Sequence, residues 1–350
     1  MSIFINGNDI VLRPYIALRN RGPKVQFINK AVMQSYLKTR PVWIQLLLFL
    51  GMAMGIFMIF SLIGMSILSS MTGISMFDVG NMSKWTSANP KMLTFVRGML
   101  LIQFLGLFVI PSLLFAYFSD PKPLQYVGLK KPIKPIYWIL GIASLIIAIP
   151  LVEYTGLLNR EVNFGAAQKW MQSMEDEAMQ QIKFMLGKRT PGELITNLIF
   201  ISLFAGIGEE LFFRGVLQRL FIKAFKNPWL GILLTAFLFS ALHIQFFGFI
   251  PRFLLGILLG AVYWYSGSLL TAIVAHFLYD SFFITWAYFQ PKIIDNNAGT
   301  MVNDSAQIIL ALISAALVAF LVWLMKKNST ITYAEVYKRD EVPKHEDLSF

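Results

Sequence analysis

The sequence contains no cysteine in its 350 residues. Disulfide bonds, thiol catalysis and metal centres with cysteine ligands are therefore excluded. Charged residues are also scarce, at 14% of the chain, whereas soluble proteins carry roughly 25%. This shortage of charge indicates an integral membrane protein.

Apolar and aromatic residues take the place of charge, at 56% and 15% of the chain. A transmembrane helix needs about 20 consecutive apolar residues. The fourth apolar run is too long for one straight span, and Gly206 and Gly208 are its expected bend points. The sequence thus predicts an all-α, polytopic membrane protein with eight transmembrane helices, at 42–70, 94–118, 135–153, 191–225, 229–247, 249–265, 268–290 and 305–325.

Basic residues predict the orientation of these helices. The chain has a net charge of +11, and its first 40 residues contain one acid, Asp9, and the bases Arg13, Arg19, Arg21, Lys24, Lys30, Lys38 and Arg40. Because cytoplasmic loops are enriched in Lys and Arg, both termini are expected in the cytoplasm. Membrane lipid is the expected partner of this charge, and nucleic acid is not expected.

Composition divides the chain into three parts. A basic interfacial segment at 1–40 precedes the membrane domain at 41–325, and a polar, loosely ordered cytoplasmic tail follows at 326–350. Within the membrane domain, the Met-, Ala- and Gln-rich stretch 162–187 predicts an amphipathic helix on the outer face. The Thr190-Pro191-Gly192-Glu193 sequence is typical of a capping box at the start of a helix.

Ionisable residues are concentrated in three of the predicted membrane helices, between positions 209 and 280. Charge at bilayer depth is costly and usually faces a protein interior or a water-filled cavity. The residues are Glu209, Glu210, Arg214, His243, His276 and Asp280. Helix packing explains any one of them taken singly, but their occurrence together favours a functional site.

Helical spacing predicts which of these side chains meet. Residues four apart share a helix face, so Glu210 is expected to pair with Arg214, and His276 with Asp280. Phe239 lies one turn before His243 and is expected to pack over its ring. Glu209 is rotated by about 100° from Glu210, so one acid can be neutralised while the other points into a cavity.

Several hydrolytic mechanisms can be tested against these residues. The H-E-x-x-H string of zinc proteases is absent, and Asp280 alone does not supply the two aspartates of an aspartyl protease. Ser240 is the best serine nucleophile candidate, three residues before His243. A glutamate with two histidines that activate water remains the favoured chemistry.

The residue pattern resembles a known family. Glu209-Glu210-x-x-x-Arg214, Phe239-x-x-x-His243 and His276-x-x-x-Asp280 look like the three motifs of the CAAX prenyl protease and bacteriocin-processing family, also called the Abi family. The resemblance covers about 190–290. It implies an eight-helix fold around a conical cavity open to membrane and cytosol, and peptide-bond hydrolysis by glutamate-activated water.

The resemblance also implies residue roles. Glu209 would be the general base, and His243 would help to hold the water. His276 with Asp280 would stabilise the oxyanion. The residues that shape the site would be Glu210, Arg214 and Phe239.

One position departs from the common pattern of the family, which often has Asn where this chain has Asp280. An ionised aspartate cannot donate a hydrogen bond to an oxyanion. Three hypotheses follow: burial keeps Asp280 protonated, Asp280 orients and charges His276, or the site binds a divalent metal such as zinc. The metal ligands would be Glu209, His243, His276 and Asp280. We favour a site without tightly bound zinc.

The expected function is that of an intramembrane endopeptidase in a bacterial inner membrane, acting on a membrane-associated or lipidated peptide or protein. A non-catalytic membrane scaffold or immunity protein of the same fold is the first alternative. A proton-coupled transporter is the second, and the lack of a second half matching 190–290 argues against it.

Overall fold

The computed structural model describes residues 36–77, 85, 90–292 and 304–337, and every regular element within these ranges is a helix. The longer helices in chain order are α1 (Val42–Thr72), α2 (Pro90–Ser119), α3 (Ile136–Arg160), α4 (Gln168–Leu186), α5 (Pro191–Phe225), α6 (Pro228–Ala241), α7 (Phe249–Ser266), α8 (Leu269–Phe289) and α9 (Asp304–Asn328). The all-α prediction is confirmed.

Seven helical stretches in the described ranges are long and apolar enough to cross a bilayer, namely α1, α2, α3, α5, α8, most of α9, and α7 with the turn that precedes it. The protein is therefore an all-α polytopic membrane protein. The predicted count of eight spans is not confirmed. Helix α6 has 14 residues, or about 21 Å at 1.5 Å per residue, and a hydrocarbon core is about 30 Å thick.

Helix α6 ends at Ala241, six residues before the predicted end of the fifth span. The chain then reverses through a turn in which Ile244 has a left-handed φ of 55°. Asn159 of α3 holds this reversal, because its side chain donates to the Phe246 carbonyl at 2.7 Å and accepts from the Ile250 amide at 2.9 Å. A distant, buried side chain therefore stops a helix that local hydrophobicity would continue.

Glycines allow α6 to approach its neighbours closely. A Cβ at Gly231 would lie 2.8 Å from the backbone nitrogen of Ile222 on α5, and one at Gly256 of α7 would lie 3.0 Å from the Ala236 Cα. Small residues bring helix backbones together in membrane proteins, where packing replaces the hydrophobic effect. The α5–α6–α7 unit that carries much of the site is therefore tightly packed.

Helix α5 departs from α geometry in two π-helical stretches, Leu198–Leu203 and Glu210–Gln218. Gly206 and Gly208, the expected bend points, lie in the α-helical stretch between them. Each glycine makes room for a neighbouring helix, because Cβ atoms there would lie 3.2 Å from the Ile273 carbonyl of α8 and 3.0 Å from Phe104 of α2. Wide π-helical turns are frequent at functional sites.

The predicted capping box at the start of α5 is half formed. The Thr190 hydroxyl accepts a hydrogen bond from the Glu193 amide at 3.2 Å. The Glu193 carboxylate does not turn back to Thr190, because it forms an ion pair with Arg97 of α2 at 2.5 Å. Arg97 also donates to Asn197 at 2.9 Å, so the acid serves to join α2 to α5.

The amphipathic helix predicted at 162–187 is present as α4. Asn197 of α5 donates to the Met185 carbonyl at 3.1 Å, near one end of α4. Near the other end, the ring of Trp170 lies 5.6 Å from that of Phe246, in the turn before α7. Helix α4 is thus fastened at both ends to the segments that carry the candidate site.

The predicted N-terminal and tail segments are only partly covered by the structure. Residues 1–35 and 338–350 lie outside the described residues. The start of the tail is not loose, because a short helix at Tyr333–Tyr337 packs against the membrane domain. The Tyr337 hydroxyl donates to the Arg219 carbonyl at 2.7 Å. The cytoplasmic location of both termini stays a prediction.

Single-cysteine labelling tests the proposed orientation, since the chain has no cysteine of its own. Arg189 and Lys226 are both exposed and lie at opposite ends of α5. A membrane-impermeant maleimide applied to intact cells is expected to label Arg189→Cys, and to label Lys226→Cys only after permeabilisation. The reverse pattern would show that the orientation is inverted.

Gly231→Ala is expected to destabilise the protein, because the added Cβ would press on the Ile222 backbone, which cannot rotate away. Overpacking of this kind costs about 1–3 kcal/mol. Thermal unfolding in detergent measures the change. The matched control is Gly51→Ala on α1, where a Cβ meets nothing within 4 Å, and where the melting temperature should not fall. Equal stability of the two variants would contradict the packing argument.

Candidate active site

A cavity of about 220 Å³ lies where α5, α6, α7 and α8 converge. Helix α5 contributes Glu209, the turn after α6 contributes His243, and α8 contributes His276 and Asp280. The remaining wall consists of Leu145, Ile201, Ala205, Phe239, Arg252, Leu255, Leu259 and Tyr279. The four residues predicted to be catalytic therefore share one small cavity with a largely apolar wall.

Glu210 is the centre of a buried polar cluster beside this cavity. Its Oε1 atom accepts from Arg214 Nη1 at 2.7 Å and from His276 Nδ1 at 2.9 Å. Neither Glu210 nor Arg214 has any exposed side-chain surface. The predicted Glu210–Arg214 pair is confirmed, whereas the contact between Glu210 and His276 was not predicted.

Helix α5 is also fastened to the backbone of α7. Arg214 Nη2 donates to the Gly256 carbonyl at 3.1 Å, and one turn later Gln218 donates to the Gly260 carbonyl at 3.1 Å. Gly260 gives Gln218 room, because a Cβ there would lie 2.7 Å from the Gln218 Oε1 atom, whereas Gly256 gives room to Ala236 of α6. Together with His276 on α8, the cluster joins three helices around one carboxylate.

Phe239 lies between the ion pair and the histidines. Its ring centroid is 4.6 Å from the Arg214 guanidinium carbon and 5.0 Å from the His243 ring. It also lies 6.3 Å from the His276 ring. The predicted packing of Phe239 on His243 is confirmed, and the same ring screens Arg214 through a cation–π contact.

His243 lies just beyond the end of α6 rather than within a helix as predicted. Its Nδ1 atom is 2.7 Å from the Phe239 carbonyl. Because a carbonyl only accepts hydrogen bonds, Nδ1 carries the hydrogen, and a neutral ring keeps its lone pair on Nε2. His243 therefore offers the cavity a hydrogen-bond acceptor.

Glu209 differs from its neighbour Glu210 in having a free carboxylate. Within the described ranges no side chain donates a hydrogen bond to Glu209, which is partly buried and lines the cavity. The rotation of about 100° between consecutive helical residues explains the difference. The predicted division, with one acid paired and the other facing the cavity, is confirmed.

His276 is held between two carboxylates. Opposite Glu210, its Nε2 atom lies 3.4 Å from Asp280 Oδ2, which confirms that the two residues share a helix face. Two lone pairs at this distance would repel each other, so the arrangement needs one proton between imidazole and carboxylate.

The predicted metal ligands do not form a metal site as they are arranged. In the described part of the chain, no group of three or more His, Asp or Glu side chains is placed to hold an ion. Both nitrogens of His276 are directed at carboxylates, so this ring has no nitrogen free to bind an ion. His243 bonds to a carbonyl through Nδ1 and leaves Nε2 for the cavity, which is the arrangement that metal-bound histidines commonly have.

Ser240, the alternative nucleophile, has a structural position. It is buried, and its hydroxyl donates to the Phe249 carbonyl at 2.6 Å. This bond joins the end of α6 to the start of α7. Ser240 does not line the cavity that holds Glu209 and the two histidines, so the serine mechanism has no support in this geometry.

Sequence reasoning missed Arg252, which lines the cavity opposite Glu209. The guanidinium donates from Nη1 to the Gln245 side chain at 2.7 Å and from Nη2 to the Gln245 carbonyl. A signal was present, because Arg252 is the one charged residue in the predicted span 249–265. Near the end of a span, however, an arginine usually extends to the membrane interface, so its position alone does not indicate a cavity residue.

Comparison with known proteins agrees with the motif pattern. The family model described as type II CAAX prenyl endopeptidase Rce1-like matches residues 191–282. The predicted resemblance is confirmed over this segment. The segment contains every residue of the three motifs, and the match supports a CAAX-protease-like intramembrane peptidase.

Two uncharacterized bacterial proteins are similar to parts of the chain. The chain is similar to the uncharacterized protein YpbD of Bacillus subtilis (strain 168), with 30% identity over 122 residues, or 34% of this chain and 58% of that protein. It is also similar to an uncharacterized 24.3 kDa protein of Escherichia coli, with 32% identity over 98 residues, or 27% of this chain and 45% of that protein. The chain thus spans about half the length of these relatives. No solved structure matches the chain.

The two adjacent glutamates are expected to differ sharply in their effect on stability. Glu210→Ala leaves the buried Arg214 without its partner, and breaking a buried ion pair in this way costs about 3–5 kcal/mol. Glu209→Ala removes no hydrogen bond and should leave the melting temperature in detergent nearly unchanged. Similar destabilisation by both variants would contradict the assignment of Glu210 as the structural acid.

Proposed function

We propose that this protein is an intramembrane endopeptidase that hydrolyses a peptide bond with water activated by Glu209. The observation that carries the proposal is the unpaired Glu209 carboxylate, which shares a cavity with two imidazoles. The match of residues 191–282 to a peptidase family supports the same reaction. Glu209, His243, His276 and Asp280 are its proposed catalytic residues.

The proposed first step forms the tetrahedral intermediate. A water molecule donates one hydrogen bond to Glu209 and the other to Nε2 of His243. Glu209 takes a proton while the water oxygen bonds to the substrate carbonyl carbon, and the electron pair of the C=O bond moves to oxygen. General-base catalysis of this kind contributes about 10²–10⁴-fold to a rate.

The proposed second step breaks the carbon–nitrogen bond. The oxyanion reforms its double bond, the peptide nitrogen leaves, and Glu209 returns the proton to that nitrogen. One water molecule is consumed and the carboxylate is regenerated. Glu210 and Arg214 hold His276 in place throughout, and Phe239 fixes His243.

The proposed substrate is a membrane-associated or lipidated peptide or protein. The cavity wall is mostly apolar, and it lies within a bundle whose outer surface faces lipid, so such a substrate can enter from the side. Bacterial relatives and the positive charge of the chain support a bacterial inner membrane with both termini in the cytoplasm.

Cleavage of a peptide library by the purified full-length protein in detergent tests the proposal. Glu209→Ala, His243→Ala and His276→Ala are each expected to lose turnover by at least about 100-fold. Ser240→Ala should cleave normally, since its hydroxyl has no role in this mechanism. Melting temperatures separate lost chemistry from lost folding.

Equal turnover by the wild type and Glu209→Ala would refute the assigned base. Absence of any cleavage by the wild type across the library would favour the non-catalytic membrane scaffold instead.

A further inference from the structure

Hydrolysis places negative charge on the former carbonyl oxygen, and that oxygen needs a hydrogen-bond donor. The resemblance to the CAAX protease family implies that His276 with Asp280 would supply this donor. In this chain, however, His276 Nδ1 lies 2.9 Å from Glu210 and Nε2 lies 3.4 Å from Asp280. Both nitrogens are thus directed at carboxylates, so neither is free to donate a hydrogen bond to a substrate oxygen.

Arg252 is the permanent positive charge on the cavity wall. Its two terminal nitrogens bond to Gln245, but its buried Nε atom has no hydrogen-bond partner among the residues that the structure describes. An unsatisfied buried donor is costly. A substrate oxygen is the kind of group that would satisfy it.

The positions of Arg252 and Glu209 leave space for an oxyanion between the two side chains. Arg252 and Glu209 line the same cavity of about 220 Å³. Yet among the described residues no ion pair within 4.0 Å joins the two side chains. A base and a donor that are near but not in contact leave room for the attacking water and the carbonyl.

The guanidinium is also held in place before any substrate binds. Gln245 fixes two of its nitrogens, and a Cβ at Gly248 would lie 2.7 Å from Arg252 Nη2. Gly248 therefore provides the space that the guanidinium occupies. Donors fixed in advance stabilise a developing charge without reorganisation during the reaction.

We propose that Arg252 is a catalytic residue that stabilises the oxyanion, which Asp280 cannot do when ionised. This inference rests on the proposed peptidase function. It assigns a role in the chemistry to the first turn of α7, which lies outside the three sequence motifs.

Steady-state kinetics with a peptide found in the library screen test the inference. Arg252→Gln is expected to lower kcat by about 100-fold or more, as loss of one oxyanion donor does. KM should change by less than about threefold, because the interaction forms only in the transition state. Arg252→Lys keeps the charge and should retain more activity than Arg252→Gln.

Binding of a phosphinate isostere of the cleaved peptide gives an independent measurement. Its tetrahedral anion resembles the intermediate, so Arg252→Gln should weaken its binding by about as much as it lowers kcat. Binding of the uncleaved peptide is measured in the Glu209→Gln variant, which should not cleave it. Adding Arg252→Gln to that variant should hardly change this binding. Equal weakening of both ligands would show that Arg252 only binds substrate, and would overturn the inference.

Matched variants separate the remaining explanations. Gln245→Ala keeps the guanidinium but releases it, so this variant should lose less kcat than Arg252→Gln and should weaken the phosphinate more than the uncleaved peptide. Equal weakening of the two ligands would show that Arg252 only holds the turn that carries His243, and the inference would fail. If Tyr279→Phe loses turnover and Arg252→Gln does not, the tyrosine is the donor. Arg189→Gln, at an exposed arginine, should match the wild type.

The outcome also distinguishes this inference from the proposed function. Loss of turnover in Glu209→Ala with full turnover in Arg252→Gln would refute only the role of Arg252. Full turnover in Glu209→Ala would refute the proposed mechanism itself.

Discussion

The buried carboxylate of Glu210 is the constraint on which the rest of the site depends. A charge inside a membrane domain is tolerated only when it is paired and hydrogen-bonded. One oxygen of Glu210 meets that requirement by accepting from Arg214 and His276. Arg214 in turn needs a further acceptor, which it finds in the Gly256 carbonyl. The hydrogen bonds of Glu210 and Arg214 therefore hold three helices, α5, α7 and α8, in position.

The same constraint explains why adjacent glutamates behave differently. Glu210 faces the packed interior of the bundle, where Arg214 lies one turn away. Glu209 faces the cavity and has no donor beside it among the described residues. A carboxylate that faces the cavity next to a structural one thus follows from the rotation between consecutive helical residues. The structural acid holds the histidine, and the other acid stays available to water.

Local spacing was sufficient to predict part of this arrangement. Apolar runs predicted the long helices, and i,i+4 spacing predicted the Glu210–Arg214 pair and the shared face of His276 and Asp280. His276 and Glu210 are 66 positions apart in the sequence, so no local pattern predicts their contact. The end of α6 was mispredicted for a similar reason, since residues 242–249 are mostly apolar and Asn159 of α3 imposes the turn.

Local sequence patterns also fail to predict the surroundings of Arg252 and of the start of the tail. The sequence places an arginine near the end of a span, where snorkelling toward the interface is the usual outcome. Its real environment depends on Gln245 and Gly248, which the reversal after α6 brings to it. Likewise, Tyr337 belongs to a polar segment, and its place in the fold depends on the distant Arg219, whose carbonyl accepts a hydrogen bond from the tyrosine hydroxyl.

The short α6 has a consequence for the surrounding lipid. Leu230, Leu233 and Phe237 point outward from this helix, yet its 14 residues cover only about two thirds of a typical hydrocarbon thickness. Such hydrophobic mismatch is relieved by local thinning of the membrane. A thinner bilayer beside α6 shortens the path from bulk water to His243, which lies just beyond the end of this helix.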